Sequence, residues 1–572
     1  MTAVNASTRL ARLTAAALRT AGVRHVVLCP GSRSAPLAYE LQRVDGSPHL
    51  HVRHDERVAA FTALGAAGAV VTTSGTAAAN LHPAVLEAHH SRRPLVAITA
   101  DRPPELRGTW ANQTSELQAD LFGAAVRARL DLADTDAEKD PDAALRALVD
   151  TVASARRFRG PVHLDLGFSE PLVPDDVDDE WSFEVSTPDA GASPSPRPVS
   201  LAPDGRRTLV VAGDGAGPEA RLVARTAGWP LLAEPSSGVA GAGAVAGYRL
   251  LLELPELGGQ VERVVVYGRP TLSRPVTQLV SRPDVELVLV SAEVSGQVSR
   301  DVSGESSGGG GWPDPGRPAQ RVARLDPAAL SPPADDGGWA RRWAVASAAS
   351  RQVLDTAVDE AAASDAPSGL VVAREVAAAA RPGEALLAAA SNPIRDLDLV
   401  GHVLPDGLRV LSNRGLSGID GTVSTASGVA LDGGLVRVLV GDLAFLHDLN
   451  GLLVPTGEAR PHLQVVVVND DGGGIFGLLD QGELASRGAA ERAVFERLFG
   501  TPHGADLAAL CAGYAVPHQR ADALDRLRAA LAEPPAGTSV VEVRTTRAGL
   551  RQLHERLRAA VHAGVRRALE LS

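Results

Sequence analysis

The feature that most constrains the fold is an alternation, repeated along the 572 residues, of short β-branched runs with longer segments rich in alanine, leucine and arginine. The short runs have the length and composition of buried strands, and the longer segments have the period of helices. This alternation predicts α/β domains with doubly wound parallel sheets. The strands predicted in the first and last parts of the chain are residues 25–30, 50–53, 69–74 and 94–101, followed by 384–391, 435–442, 463–470 and 538–544.

Stretches rich in proline, serine, glycine and aspartate divide this pattern. One covers residues 186–206, and a second region covers residues 303–318 and 331–338. Such compositions cannot bury a core and are typical of solvated linkers. The sequence therefore predicts three α/β domains, at residues 1–185, 206–345 and 365–572.

Charge and cysteine content narrow the possible functions. The formal net charge of −12 argues against a broadly basic nucleic-acid-binding surface. Cys29 and Cys511 are the only cysteines, which suits a reducing cytoplasm, and no apolar run is long enough to predict a transmembrane span. Lys139 is the only lysine among the 56 basic residues. A negatively charged substrate would therefore meet arginines, whose planar guanidinium pairs well with carboxylates.

Functional residues of parallel sheets lie at the carboxyl ends of the strands. The first predicted strand runs into a turn containing Ser32 and Arg33, which offer a hydroxyl and a guanidinium suited to a carboxylate or phosphate. The second strand ends just before Asp55 and Glu56. Asp55 is interpreted as a helix cap. Glu56 lies where strand becomes helix, and this position predicts a partly desolvated carboxylate suited to proton transfer.

Two strands of the last block also end in oxygen-bearing side chains. One ends at Asp442, and the next ends at Asn469 and Asp470, before a glycine-rich turn that starts at Gly472. The 27 intervening residues are about what one parallel crossover needs. With the carbonyl of Gly472, these side chains predict a hard-cation site with few protein ligands, of the kind that holds Mg²⁺ against a diphosphate.

This spacing resembles the signature of thiamine-diphosphate enzymes, in which a Gly-Asp-Gly segment is followed after 25 to 30 residues by two asparagines. Leu443 and Asp470 depart from that pattern. The resemblance implies that Asp470 takes the metal-ligand role of the second asparagine, with Asn469 as the alternative. A literal Gly-Asp-Gly at residues 213–215 has no matching second segment, and we interpret it as a tight turn.

Within that superfamily, the strings CPGSRSAPL, HDERVAAF, TTSGTAAAN, SNRGLSGIDGTVSTASG, GDLAFLHDLNGL and NDDGGGIFGLL resemble the SEPHCHC synthase family of menaquinone biosynthesis. The resemblance is strong in the first and last blocks and weak in the middle one. It implies a transferase that decarboxylates 2-oxoglutarate and adds the succinyl carbanion equivalent to isochorismate. It also implies thiamine diphosphate with Mg²⁺ or Mn²⁺ as cofactors, and a homodimer or homotetramer with active sites between subunits.

The resemblance further assigns roles to individual residues. Glu56 would activate the cofactor, and Ile419 would keep the cofactor bent. Arg274 in the middle block is a looser match to a substrate-binding position. The residues placed around the two dianionic substrates are Ser32, Arg33, Arg107, Gln118, Ser391, Arg395 and Arg414. The remaining cofactor contacts are Gly441, Asp442, Leu443, Asp470, Gly472, Gly473, Ile475 and Phe476, with Asp442, Asp470, Gly472 and, alternatively, Asn469 on the metal.

Two alternatives stay open at this point. In the first alternative, the chain is another thiamine-dependent 2-oxo-acid decarboxylase or carboligase. In the second, it is a catalytically silent binding paralogue. The set of arginines argues against an enzyme acting on pyruvate, because pyruvate carries a single carboxylate. The presence of Glu56 and Asp442 argues against a silent paralogue.

Overall fold

The structure is a computed structural model that describes residues 4–43, 48–174, 201, 204–290, 317–322, 324–330, 338–363, 367–533 and 536–571. Most of the predicted linker segments at 186–206, 303–318 and 331–338 lies outside these residues. The chain divides into two compact units. The first comprises residues 1–193, 413–433 and 447–463, and the second comprises 194–412, 434–446 and 464–572.

The first unit contains a six-stranded parallel sheet with strand order β2-β1-β3-β4-β6-β5. Its strands are β1 (His25–Leu28), β2 (His49–Val52), β3 (Ala69–Thr72), β4 (Leu95–Asp101), β5 (Arg129–Ala133) and β6 (Pro161–Gly167). Its helices are α1 (Ala6–Thr20), α2 (Ala35–Arg43), α3 (Glu56–Gly65), α4 (Thr76–Ala79), α5 (His82–Ser91), α6 (Asp134–Lys139) and α7 (Pro141–Arg157).

Helices cover both faces of this sheet, which explains why its central strands are buried at every position and mainly apolar. Val26 and Leu28 face a core that includes Leu10 and Leu13 of α1. Val27, between them, faces the opposite core. The alternation of side chains along a strand thus divides one apolar run between two cores.

The second unit contains two sheets. The five-stranded one has the order β11-β10-β9-β7-β8, and its strands run parallel. Its strands are β7 (Thr208–Ala212), β8 (Leu231–Ala233), β9 (Arg263–Tyr267), β10 (Glu286–Val290) and β11 (Gln320–Val322). The helices around it are α8 (Glu219–Ala227), α9 (Tyr248–Leu251), α10 (Arg274–Ser281) and α11 (Trp339–Ala362).

The other sheet of this unit has the order β13-β12-β14-β15-β17-β16, and β12 runs parallel to both β13 and β14. Its strands are β12 (Ala385–Ala388), β13 (Arg409–Leu411), β14 (Val436–Gly441), β15 (Leu463–Asn469), β16 (His518–Arg520) and β17 (Thr538–Arg544). The remaining helices of the chain are α12 (Gly369–Ala379), α13 (Asn392–Leu399), α14 (Thr422–Val429), α15 (Asp442–His447), α16 (Asp480–Ala485), α17 (Ala489–Phe495), α18 (Leu507–Gly513), α19 (Leu524–Ala532) and α20 (Leu550–Glu570).

The three sheets fall in the three predicted blocks, and the prediction of parallel α/β architecture is confirmed. The compact units nevertheless cut across the last block, because α14 packs with α3 in the first unit. A side chain at Gly65 would overlap the carbonyl oxygen of Thr425, and one at Gly428 would overlap that of Thr62. These glycines therefore let the two helices touch backbone to backbone. The domain boundaries themselves stay a prediction.

Candidate active site

The turn after β1 places Ser32 in solvent and Arg33 inside the first unit. Arg33 is 7 % exposed, and its Nη1 donates to the carbonyl oxygen of Phe168 at 2.7 Å. Burial lowers the pKa of Arg33, and the nearby Arg102 guanidinium lowers it further. The nearby carboxylates of Glu170, Asp101 and Asp134 raise this pKa in turn, and an added substrate carboxylate would favour the charged guanidinium further.

Glu56 is the first residue of α3, at the end of the short connection from β2. The helix begins there because Asp55 caps it, accepting hydrogen bonds from the amides of Arg57 and Val58. This confirms the capping role predicted for Asp55. Glu56 is half-buried, and Nδ2 of Asn80 lies 3.5 Å from its Oε2. The carboxylate is thus held at a strand end and remains accessible to a ligand.

Gln118 is anchored inside the first unit and is 2 % exposed. Its Oε1 accepts from the amide of Gly75 at 2.9 Å, and its Nε2 donates to Oδ1 of Asp165 at 2.9 Å. Gly75 has a positive φ of 79° and precedes α4, whose C-cap is Asn80. In this structure the side-chain amide of Gln118 therefore fixes the turn that carries Asn80.

The guanidinium of Arg107, which was expected to bind a substrate, is engaged by carboxylates of the first unit. It forms a bidentate pair with Asp131, at 2.6 and 2.8 Å, and its Nε lies 2.8 Å from Asp101 Oδ2. Its Nη2 also donates to Asp165 at 3.2 Å. The paired carboxylates raise the pKa of Arg107, with the hydrogen bond to Asp131 as the largest cause. Three acids already contact this guanidinium, and sequence spacing could not reveal these contacts.

Asp165→Asn is expected to raise the Tm at pH 8 by about 2 °C. Burial, with the charge of Asp101, raises the pKa of Asp165 to about 7. An unfolded aspartate ionises near pH 4. Asp165 therefore stabilises the fold most at low pH, and that contribution is lost as the pH rises from about 4 to 7. Asparagine stays neutral, so thermal unfolding should show a smaller gain at pH 5. A variant less stable than the wild type at pH 8 would contradict this account.

Residues 413–421 bring two further predicted residues into the first unit. Arg414 is 3 % exposed, and Ile419 is half-buried. The segment ends at Gly421, which has a φ of 58° and whose added Cβ would overlap the ring of Phe61 in α3. Only glycine fits there. This close approach fixes the segment that carries Ile419 against the helix that begins at Glu56.

The second unit holds the residues predicted to bind the metal and the diphosphate. Gly441 ends β14 and Asp442 begins α15. Asp442 is 2 % exposed, and its two carboxylate oxygens accept from the amides of Leu443, at 2.7 Å, and of Gly472, at 2.8 Å. A Cβ added at Gly441 would meet no atom within 4 Å, so the space beside this strand end is open.

The structure distinguishes Asp470 from Asn469 at the end of β15. Asn469 donates to Oε1 of Glu542 at 2.7 Å and accepts from the amide of Asp471 at 3.1 Å, so its amide is used within the fold. Burial, with the charge of Asp442, raises the pKa of Asp470 to about 7. A cation between Asp442 and Asp470 would relieve this repulsion. The amide of Asn469 is thus engaged within the fold, and the assignment of Asp470 as the metal ligand stays a prediction.

The glycine run after Asp471 packs closely against the segment that follows α17. A Cβ at Gly472 would overlap the carbonyl oxygen of Gly500, and a Cβ at Gly474 would overlap Oδ2 of Asp470. Ile475 and Phe476 follow in a short 3₁₀ helix and are half-buried, with the Phe476 ring 5.7 Å from that of Phe499. The turn is therefore shaped by backbone contacts that larger residues would break.

His503 is a candidate functional residue that the sequence analysis missed. Its Nδ1 accepts from the amide of Ala505 at 2.9 Å, so the neutral ring carries its proton on Nε2. That nitrogen lies 3.2 Å from Oδ2 of Asp442. Hydrogen bonds of this kind orient metal-binding carboxylates. No motif marks His503, because it reaches Asp442 from a turn 61 residues further along the chain.

The other predicted substrate residues of the second unit are Ser391, Arg395 and Arg274. Ser391 precedes α13 with a φ of 77°, and Nη1 of Arg395 donates to its carbonyl oxygen at 2.7 Å. Arg274 is the exposed first residue of α10. The structure thus brings Ser391 and Arg395 together and gives no support to a site at Arg274.

Three further findings concern the middle block, metal sites and membrane spans. In the middle block, the amide of Ala216 donates to the carbonyl oxygen of Gly213 at 3.1 Å, which agrees with a tight turn at residues 213–215. Among the described residues, no group of three or more acidic, histidine or cysteine side chains has the geometry of a metal site. None of the helices in the described ranges is long and apolar enough to cross a membrane.

Comparison with known proteins identifies the class first. Residues 8–121 match the family described as thiamine pyrophosphate enzyme, N-terminal TPP binding domain. The structure is similar to that of benzoylformate decarboxylase from Polynucleobacter necessarius, with a TM-score of 0.64 and 17 % identity over 94 % of this chain and 98 % of that one. The chain therefore has the fold and the N-terminal domain of thiamine pyrophosphate enzymes.

Curated relatives then define the particular family. A protein of Kineococcus radiotolerans is 49 % identical over 98 % of this chain and 100 % of its own length, and one of Renibacterium salmoninarum is 46 % identical over 97 % of each. Both are named 2-succinyl-5-enolpyruvyl-6-hydroxy-3-cyclohexene-1-carboxylate synthase. The chain belongs to this synthase family, and the resemblance found in its sequence is confirmed.

Proposed function

We propose that this chain is a transferase that decarboxylates 2-oxoglutarate and adds the resulting succinyl unit to isochorismate by 1,4-addition, releasing CO₂. The observation that carries the proposal is the similarity, over nearly the whole chain, to relatives named for the product of that reaction. The site residues of the first unit and those of the second unit form two groups that support the proposal. Together they include a proton-transfer carboxylate, a candidate metal site and several guanidinium groups.

Glu56 would act on the cofactor. Thiamine diphosphate, when bound, supplies the carbanion chemistry and the electron sink that protein side chains lack. Glu56 would hydrogen-bond the aminopyrimidine nitrogen and hold or release a proton there. Its position at the start of α3 suits this task, because a half-buried carboxylate beside Asn80 is fixed in place and still reachable. Ile419, on the segment packed against α3, would support the cofactor from its apolar side.

Asp442, Asp470 and the carbonyl oxygen of Gly472 would hold a divalent cation. The donor set fits Mg²⁺ or Mn²⁺, since all three ligands are hard oxygens and a diphosphate would complete the coordination. The open space beside Gly441 and the glycine turn at 472–474 leave room for that group. Leu443, Gly473, Ile475 and Phe476 would line the cofactor.

Cationic and polar side chains would bind the two dianionic substrates. Arg33, Arg395 and Arg414 are the arginines for which this role is proposed, with Ser32 and Ser391 beside them in the sequence. Arg107 and Gln118 are engaged within the first unit, by three carboxylates and by the Gly75 turn respectively. They would shape the wall of the site, and Arg107 would contact a substrate only by exchanging one of its present partners.

The active enzyme would be a homo-oligomer, a dimer or a tetramer. Enzymes of this superfamily build each active site from two chains, and the residues proposed here form two groups that carry complementary parts of the chemistry. Sedimentation of the purified protein should show a species of at least two chains.

The proposal is tested by supplying the purified chain with thiamine diphosphate, Mg²⁺, 2-oxoglutarate and isochorismate. CO₂ release and consumption of isochorismate should both require all four additions. Pyruvate in place of 2-oxoglutarate should support little turnover, because it lacks the second carboxylate. Turnover of pyruvate alone, with no carbon–carbon bond formed to isochorismate, would identify another thiamine-dependent decarboxylase and contradict the proposal.

A further inference from the structure

Glu87 is a buried acid in α5 that the proposed reaction does not yet use. Only 5 % of the residue is exposed. Its Oε1 accepts a hydrogen bond from the amide of Gly415 at 2.6 Å, and its Oε2 accepts one from the amide of Leu416 at 2.8 Å. The carboxylate therefore bridges two successive amides of the segment that carries Arg414.

The chemistry of this contact is specific to a carboxylate. Burying an ionised group is unfavourable unless hydrogen bonds compensate it, and bonds to charged acceptors are about twice as strong as neutral ones. Both oxygens of Glu87 act as acceptors. Glutamine has nearly the same shape but would turn an N–H toward one of the two amides.

Gly415 is adapted to the same contact from the other side. A Cβ added there would lie 2.4 Å from the backbone carbonyl oxygen of Glu87 and 2.8 Å from both Cδ and Oε1 of its side chain, which is closer than side-chain atoms normally approach. A buried acid on one element and a glycine on the other thus meet in a single close contact. Glycine lets this segment approach both the backbone and the carboxylate of Glu87.

Arg414 lies between two neighbours that each form hydrogen bonds within the first unit. On one side, Nδ2 of Asn413 donates to Oγ1 of Thr425 at 3.1 Å. On the other side, Glu87 holds Gly415 and Leu416. We propose that Glu87 is a positioning residue for Arg414, fixing the guanidinium where it meets a carboxylate of a dianionic substrate. This inference rests on the proposed function, in which Arg414 binds substrate.

A double-mutant cycle tests the proposal. Glu87→Gln, Arg414→Ala and the double variant are prepared, and kcat and KM are measured for 2-oxoglutarate and for isochorismate. Loss of one hydrogen bond to a charged group predicts a rise of roughly tenfold in KM for at least one substrate in Glu87→Gln, with a smaller change in kcat. If Glu87 acts through Arg414, the double variant should be no worse than Arg414→Ala.

Glu40→Gln is the matched control, because Glu40 is another partly buried acid of the first unit, 3.5 Å from Nε of Arg12. Its KM values should equal those of the wild type. Should Glu87→Gln fail to fold, Gly415→Ala displaces the same contact from the other side and should give the same rise in KM. Independent, additive effects in the cycle, or unchanged KM in Gly415→Ala, would overturn the positioning role. A wild-type chain inactive on both substrates would overturn the proposed function as well.

Discussion

Glu56→Gln is expected to lower kcat by about 10²- to 10⁴-fold, the usual contribution of a positioned acid or base. Glutamine keeps the shape and the hydrogen-bonding reach of Glu56 but cannot exchange the proton. Because Asp55 caps α3 independently, the helix should keep its start. Binding of thiamine diphosphate, measured by calorimetry, should therefore change far less than the rate of CO₂ release.

Glu105→Gln is the control for this variant, since Glu105 is an exposed acid in the same unit and should leave kcat unaltered. If Glu56→Gln retained wild-type turnover, the carboxylate would have no role in proton transfer. If the wild-type chain itself showed no turnover, the hypothesis of a catalytically silent binding paralogue would be favoured instead.

Asp470→Ala and Asn469→Ala are expected to affect different properties of the protein, namely cofactor binding and folding stability. Removing Asp470 deletes a proposed metal ligand, so the affinity for thiamine diphosphate in the presence of Mg²⁺ should fall about 10- to 100-fold or more. Removing Asn469 leaves the Asp471 amide and the Glu542 carboxylate without their present partner, which costs about 1–3 kcal/mol for a buried group. Asn469→Ala should therefore show a lower Tm and a smaller change in metal-dependent cofactor binding.

Calorimetric titration of cofactor with and without Mg²⁺, together with thermal unfolding, separates the two effects. Asp470→Asn is the conservative companion, because asparagine occupies this position in the signature that the chain resembles, and it should retain metal-dependent binding. A larger loss of metal dependence in Asn469→Ala than in Asp470→Ala would reverse the assignment.

The sequence predicted β1, β3 and β4 of the first sheet and β12, β14, β15 and β17 of the third, because these strands are largely buried and mainly apolar. It missed β6, whose buried positions include His163 and Asp165. These polar residues are compatible with burial because Thr99 bonds to both, at 2.7 Å in each case. A contact between two strands far apart in the chain cannot be seen in the composition of either one.

The edge strands β5 and β16 were missed for a different reason, whereas the edge strand β2 was predicted at residues 50–53. β5 alternates exposed and partly buried residues, and β16 has three residues, so neither has the apolar run that marks a central strand. Their pairing with β6 and β17 comes from the tertiary fold.

In the candidate site, too, some features follow from the local sequence and others depend on contacts between distant segments. The positions of Glu56, Asp442 and Asp470 were predictable because they follow strands, and the strand ends of each parallel sheet meet at one edge of that sheet. Their roles stay a prediction. The saturation of Arg107 by three acids, and the approach of His503 to Asp442, depend on contacts between distant segments. Sequence spacing carries no information on such contacts.

The most direct test of the central claim uses 2-oxoglutarate labelled with ¹³C in the carboxyl group next to the ketone. With isochorismate, thiamine diphosphate and Mg²⁺ present, we predict that all the label appears in CO₂, and that each CO₂ is matched by one unlabelled succinyl adduct of isochorismate. Release of labelled CO₂ while isochorismate stays unchanged would contradict the assignment.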